Sequence, residues 1–177
     1  MSNTRLTVVV GMILAAAAAR LLPHPPNFTP IAAIALFGGA QFSNRGMAFM
    51  LPLAAMFFGD LLIGFHALMP FVYGSLALTV CLGMWLRQSR TVARTVLAAL
   101  AGSILFFAIT NFAVWAKLGS YPATGAGLMA CYVAAIPYFQ NTVLGDLFYT
   151  AVLFGGLSFA QVRFAGLRER NAVLPII

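Results

Sequence analysis

Apolar residues fill most of the chain in long runs, and the breaks between these runs are short and polar. A helix needs about 20 mainly apolar residues to cross a hydrocarbon core of about 30 Å. Six runs approach this length, at 6–22, 30–42, 47–65, 70–86, 96–116 and 142–162. The pattern predicts an all-α integral membrane protein, a bundle of six transmembrane helices that forms a single membrane domain over residues 1–177.

Three apolar stretches need separate interpretation. The run at 30–42 is short and contains two adjacent glycines, so we expect a tilted or partly re-entrant span. The stretch at 128–138 is interrupted by a proline and is too short to cross, which predicts an outer re-entrant or interfacial segment. The first run follows Arg5 as in a cleaved signal peptide. It continues past Arg20, however, and this favours a retained first helix.

Composition supports the membrane assignment and indicates an orientation. Hydrophobic residues make up 62% of the chain and charged residues 7%, whereas about a quarter of an ordinary soluble domain is charged. The net charge of +7 comes mainly from arginines near span ends and termini. This is the positive-inside pattern rather than a nucleic-acid-binding surface. Six crossings put most of these arginines on one side, which predicts that both termini are cytoplasmic.

Polar and aromatic side chains collect at the opposite, outer ends of the spans and in the outer connectors. Binding pockets are mostly apolar, with a few polar groups that orient the ligand. We therefore predict an outward-facing cup that binds a small molecule. Its expected binding residues are His24, Asn27, Asp60, His66, Tyr73, Asn111, Tyr132, Tyr138 and Asp146.

Asp60 is the most informative member of this set, because the chain has only three acidic residues and Asp60 lies inside an apolar run. An ionisable group within a span is costly and usually serves function. Two alternatives remain open. Asp60 is also consistent with a frayed helix end that bonds backbone or water, and the Tyr and Trp residues are consistent with an interfacial belt. The belt leaves Asp60 and Asp146 unexplained.

Catalytic signals in the sequence are weak. It contains no nucleophile elbow, no HExxH motif and no phosphate-binding loop, so we expect neither an enzyme nor nucleotide hydrolysis. His24 and His66 are candidates for acid–base chemistry, although single loop histidines more often only form hydrogen bonds. Cys81, on the floor side of the cup, is a candidate soft metal ligand or a small buried hydrophobe. Cys131 is expected in the outer connector, and the two cysteines indicate no zinc site or disulfide.

The alanine-rich first helix and six short spans resemble the S components of energy-coupling-factor transporters, which are small vitamin-binding membrane proteins. Four segments carry a more specific resemblance, to a bacterial membrane family that is similar to the solitary BtuM-type cobalamin transporters. They are RLLPHPPNFTPIAAIALFGGAQF, LPLAAMFFGDLLIGFH, MPFVYGSLAL and CYVAAIPYFQNTVLGDLFYTAVLFGG.

This resemblance implies uptake of a micronutrient, most plausibly cobalamin or a related corrinoid, across the bacterial inner membrane. It implies that Cys81 ligates the cobalt, with Asp60 and Tyr73 nearby, and that Ala15 and Ala19 face an energy-coupling ATPase module. Ligand exchange on a bound corrinoid is the only chemistry implied. Two alternatives stay open: a transporter of another vitamin or organic solute, and a structural membrane subunit without a ligand.

Overall fold

The computed structural model describes residues 2–168, which form six α-helices joined by short connectors. The helices are α1 (Asn3–Ala19), α2 (Ile31–Gln41), α3 (Arg45–Ile63), α4 (Met69–Leu86), α5 (Val92–Lys117) and α6 (Gly125–Arg163). A π-helical turn, Ala151–Gly155, lies within α6, and the 3₁₀ turn Ala165–Leu167 follows it. These described residues contain no strand, so the all-α prediction is confirmed.

Short polar breaks in the sequence start several of the helices. The side chains of Ser2, Asn44, Thr91 and Thr124 each accept a hydrogen bond from the backbone N–H three residues further on. These N-caps satisfy one of the free amide donors of the first helical turn. The caps explain why α1, α3, α5 and α6 begin where apolar character returns.

The helices differ in their capacity to span a bilayer. α3, α4, α5 and α6 are long and apolar enough to cross a membrane. α1 has 17 residues and α2 has 11, which correspond to lengths of about 26 Å and 16 Å. The chain is therefore a helical membrane protein in which four helices, rather than the six that the sequence predicted, are long enough by themselves to be candidate spans.

α2 is the central element of the bundle. Ten of its eleven residues are buried, because all five other helices pack around it. Its alanines and glycines allow close contact: a Cβ atom on Gly39 would lie 2.9 Å from the Cα atom of Gly83 in α4. Small residues permit this close backbone approach between membrane helices. Protein rather than lipid thus surrounds α2.

The prediction of a separate outer segment at 128–138 is wrong. This segment is continuous with the predicted span at 142–162, and together they form the 39-residue helix α6. Pro137 removes one backbone hydrogen bond, but α5 supports the helix on both sides of it. The ring of Phe107 lies 4.5 Å from that of Phe139, and the hydroxyl of Tyr132 donates to the carbonyl of Ala108.

Two ends of the bundle differ in chemistry. At one end, here called the basic end, α1, α3 and α5 begin while α2, α4 and α6 finish. Seven arginines of the described residues lie there: Arg5, Arg45, Arg87, Arg90, Arg94, Arg163 and Arg168. The Arg5 guanidinium donates to the Gln41 side chain at 2.7 Å, and Arg87 Nε donates to the Gly39 carbonyl at 2.9 Å. Burial, followed by the charges of Arg90 and Arg45, lowers the pKa of Arg87. The other end, here called the polar end, holds the connectors at 20–30 and 64–68.

Candidate functional site

A cavity of about 250 Å³ lies at the polar end of the bundle, where every helix contributes a terminus, a connector or a side chain. Its lining combines polar and apolar groups. The lining residues are Arg20, Asn27, Thr29, Ile31, Ala32, Met56, His66, Val72, Phe106, Thr142 and Asp146.

The connector between α1 and α2 forms one wall because it lies directly against α6. A Cβ atom on Gly145 would lie 3.1 Å from Phe28 Cα, so the glycine makes room for the connector backbone. Asn141 Nδ2 donates to the Pro26 carbonyl at 3.0 Å and holds the two segments together. Asn27 has a φ of 64°, a left-handed conformation that asparagine adopts more readily than most residues. The resulting turn puts Asn27 and Thr29 at the cavity.

An ion pair stands at the edge of the cavity. Arg20 Nη2 lies 2.7 Å from Asp60 Oδ1, and the hydroxyl of Tyr73 donates to Asp60 Oδ2 at 2.7 Å. Gly59 lets the arginine lie along α3, since a Cβ atom there would be 3.0 Å from Arg20 Nη1. The Asp60 side chain is 1% exposed and that of Arg20 13%. Asp60 is therefore compensated, while Arg20 presents its remaining surface to the cavity.

Asp146 is the other buried carboxyl group, and its surroundings are different. It lines the cavity, is 3% exposed, and accepts a hydrogen bond from the Ser103 hydroxyl to Oδ2 at 2.6 Å. Ser103 Oγ also lies 3.1 Å from the Ala99 carbonyl of its own helix, which competes with Asp146 for the single hydroxyl proton. Among residues 2–168 no cationic side chain forms an ion pair with Asp146.

The comparison with known protein families gives one match. The model described as "Family of unknown function (DUF6580)" matches residues 1–170. The chain belongs to this family. No curated protein and no solved structure matches the chain. The family description assigns no activity, so the functional argument for this member rests on the site itself.

The structure brings together only part of the residue set that the sequence predicts. Asn27, His66 and Asp146 line the cavity. Asp60 and Tyr73 lie beside it, behind Arg20. These five residues come from the connectors, α3, α4 and α6.

Four other predicted binding residues lie elsewhere. The ring nitrogens of His24 are within hydrogen-bond distance of the carbonyls of Pro25 and Arg20. Asn111 and Tyr132 bond backbone carbonyls in the α5–α6 hairpin, and Tyr138 is exposed on α6. None of the four lines the cavity.

The two cysteines and the two α1 alanines also lie outside the lining of the cavity. Cys81 is exposed on α4 and does not line the cavity. The expectation that Cys131 lies in a connector is wrong, because this residue is buried within α6. Ala15 is exposed and Ala19 half-buried on α1. Within the described residues, no three His, Cys, Asp or Glu side chains gather into a metal site.

Arg20, Thr29, Phe106, Thr142 and Ser103 are site residues that the sequence did not identify. Arg20 offered a signal, because an arginine near the end of an apolar helix needs a partner as much as Asp60 does. Ser103 offered none. A single serine in an apolar helix commonly bonds its own backbone, and its contact with Asp146 joins residues 43 positions apart.

Proposed function

We propose that this protein is the substrate-binding unit of a micronutrient or organic-solute transporter, built like an S component, and that it binds its solute in the cavity at the polar end. The mixed lining of this cavity is the observation that carries the proposal. Six polar residues line it together with five apolar residues from α2, α3, α4 and α5, and typical small-molecule sites likewise combine apolar surface with polar groups that orient the ligand. Two buried carboxyl groups in or beside it are the kind of intramembrane feature that usually marks a substrate pathway.

The distribution of arginines supports a direction for this uptake. Positive residues favour the cytoplasmic side of a membrane, and seven arginines of the described residues lie at the basic end, opposite the cavity. In a bacterial inner membrane this orientation opens the cavity to the outside, with both termini cytoplasmic. The exposed side of α1 at Ala15 is then available to an energy-coupling ATPase module.

The size of the cavity favours a small solute over a corrinoid. Ligand sites typically enclose about 300–1,000 Å³, and the volume here is 250 Å³. A corrin ring with its side chains and nucleotide loop exceeds this space unless the helices separate. Cys81, the predicted cobalt ligand, is exposed on α4 away from the lining. Another vitamin or small organic solute is therefore the better-supported substrate, and cobalamin stays a prediction.

A binding panel tests the proposal. Purified protein in lipid nanodiscs is titrated calorimetrically with vitamins, including a corrinoid, and with small organic solutes. We expect one small solute to bind, and Thr29→Tyr, which fills the cavity from the connector, to abolish the binding. Ser120→Tyr introduces the same side chain in the exposed α5–α6 loop and should leave binding unchanged.

Two outcomes of the panel would contradict this assignment. If nothing binds, the protein is better explained as a structural membrane subunit. If a corrinoid binds, and its visible spectrum changes with the wild-type protein but not with Cys81→Ala, the substrate is the corrinoid and Cys81 is its axial ligand. Cys131→Ala is the matched control, since that cysteine is buried between α5 and α6.

A further inference from the structure

The charges around the cavity do not cancel. Arg20 is the one arginine or lysine among its lining residues, and Asp60 already neutralises it at 2.7 Å. Asp146 adds a second carboxyl group, and no cation among residues 2–168 compensates it. When Asp146 is ionised, its carboxylate therefore has no cationic partner within the described part of the chain. Since an unpaired buried charge is strongly unfavourable, a bound group that offsets it gains affinity.

We propose that the solute carries a protonated amine or another nitrogen-bearing cation, and that Asp146 binds this group inside the cavity. The proposal rests on the proposed function and specifies its substrate class.

The geometry at Asp146 suits such a group. The Ser103 hydroxyl donates to Asp146 Oδ2 at 2.6 Å. Within the described residues, this is the one hydrogen bond that the carboxyl group receives. Oδ1 is left to accept from a ligand N–H. A charge-assisted hydrogen bond of this type is roughly twice as strong as a neutral one.

The apolar lining limits the rest of the solute. Ile31, Met56, Val72 and Phe106 contribute hydrocarbon surface on other sides of the cavity. A dry apolar cavity of about 150 Å³ holds one benzene molecule, so 250 Å³ accommodates a single ring with a short substituent. The geometry therefore favours a compact solute with one cationic end and one apolar end.

Three probes of matched size and different charge test this inference: benzylammonium, benzyl alcohol and benzoate. Each is titrated into nanodisc-embedded protein by calorimetry, alongside the solute panel. We expect benzylammonium to bind at least about tenfold more tightly than benzyl alcohol, as a charge-assisted contact predicts, and benzoate to bind most weakly. Asp146→Asn should remove the difference between benzylammonium and benzyl alcohol.

Two further variants separate electrostatics from damage to the fold. Asp60→Asn leaves the charge of Arg20 uncompensated, so it should weaken benzylammonium binding and strengthen benzoate binding. Ser103→Ala should weaken benzylammonium binding severalfold because Asp146 loses its orienting donor. Ser75→Ala is the matched control: Ser75 is equally buried, but its hydroxyl bonds only the Val72 carbonyl in its own helix.

Tighter binding of benzoate than of benzylammonium by the wild-type protein would overturn the inference while leaving the proposed function intact. If none of the three probes binds, the chemistry of the solute that binds in the panel tests the inference. A solute without a cationic nitrogen overturns it. If neither probes nor panel solutes bind, the proposed function fails and the inference fails with it.

Discussion

Arg20 and Asp60 each interrupt an apolar run of the sequence, and in the folded chain they pair at 2.7 Å. Removing the arginine leaves Asp60, which is 1% exposed, as an unpaired buried charge. Breaking such a pair from one side typically costs about 3–5 kcal/mol. We predict that Arg20→Met lowers the free energy of unfolding by about this amount, measured by denaturant unfolding in detergent. Arg45→Met, at an exposed arginine, should change it by less than about 0.5 kcal/mol.

The double variant Arg20→Met/Asp60→Leu identifies the cause of that loss. Apolar replacement of both members of a buried pair is often close to neutral, so most of the lost stability should return. A double variant as unstable as Arg20→Met alone would show that packing of the arginine stem against Gly59 and Met56, rather than its charge, stabilises this end of the bundle.

The sequence located residues near the cavity where a side chain was chemically out of place. Asp60 and Asp146 stand out in apolar runs, and both prove to be in or beside the cavity. Tyr132 and Asn111 do not line the cavity, and the reason is the opposite one. A tyrosine or asparagine in a membrane helix has many favourable partners, and these two bond backbone carbonyls in the α5–α6 hairpin. Composition alone does not distinguish such local bonds from a binding site.

At the scale of helices, the close contact between α2 and α4 allows a direct test of the packing. A Cβ atom on Gly83 would lie 2.9 Å from Gly39 Cα and 3.0 Å from the Ala40 nitrogen, both of them backbone atoms that cannot rotate away. Gly83→Ala should therefore destabilise the protein by at least about 1–3 kcal/mol, the usual cost of overpacking. The measurement is the same unfolding experiment.

Gly74→Ala is the control on the same helix, since nothing lies within 4 Å of a Cβ atom there. Alanine favours helix over glycine by about 1 kcal/mol, so this variant should be neutral or slightly more stable. Equal destabilisation by both substitutions would contradict the close α2–α4 contact and indicate that α4 tolerates alanine poorly in general.

The helices were predictable to different degrees. The predicted spans at 47–65 and 70–86 match α3 and α4 to within two residues at each end. Their ends were predictable because polar breaks or prolines flank these runs. The prediction failed at α6, where Pro137 was taken as an interruption. A proline costs one hydrogen bond and some strain, but the contacts of α5 with both flanks, including Phe107 with Phe139, hold the helix together. Such tertiary support leaves no signal in the local sequence.

At the scale of the whole molecule, the separation of chemistry between the two ends was predictable because it sums over many residues. No single arginine decides it, whereas seven arginines of the described residues at one end and a cavity with two nearby carboxyl groups at the other form a consistent asymmetry. The central position of α2 was not predictable, since an alanine-rich run suits lipid and protein surroundings equally well. The burial of ten of its eleven residues and the close approach of Gly39 to Gly83 distinguish them.

The same asymmetry predicts the orientation of the protein in the membrane. Gln88 lies in the exposed loop at the basic end, and Ser120 lies in the exposed loop between α5 and α6. In a Cys81→Ser/Cys131→Ala background, Ser120→Cys should react with a membrane-impermeant maleimide in intact cells. Gln88→Cys should react only after lysis, because the positive-inside rule puts the arginine-rich end in the cytoplasm. Labelling of Gln88→Cys in intact cells would reverse the orientation, turn the cavity toward the cytoplasm, and make export rather than uptake the direction to test.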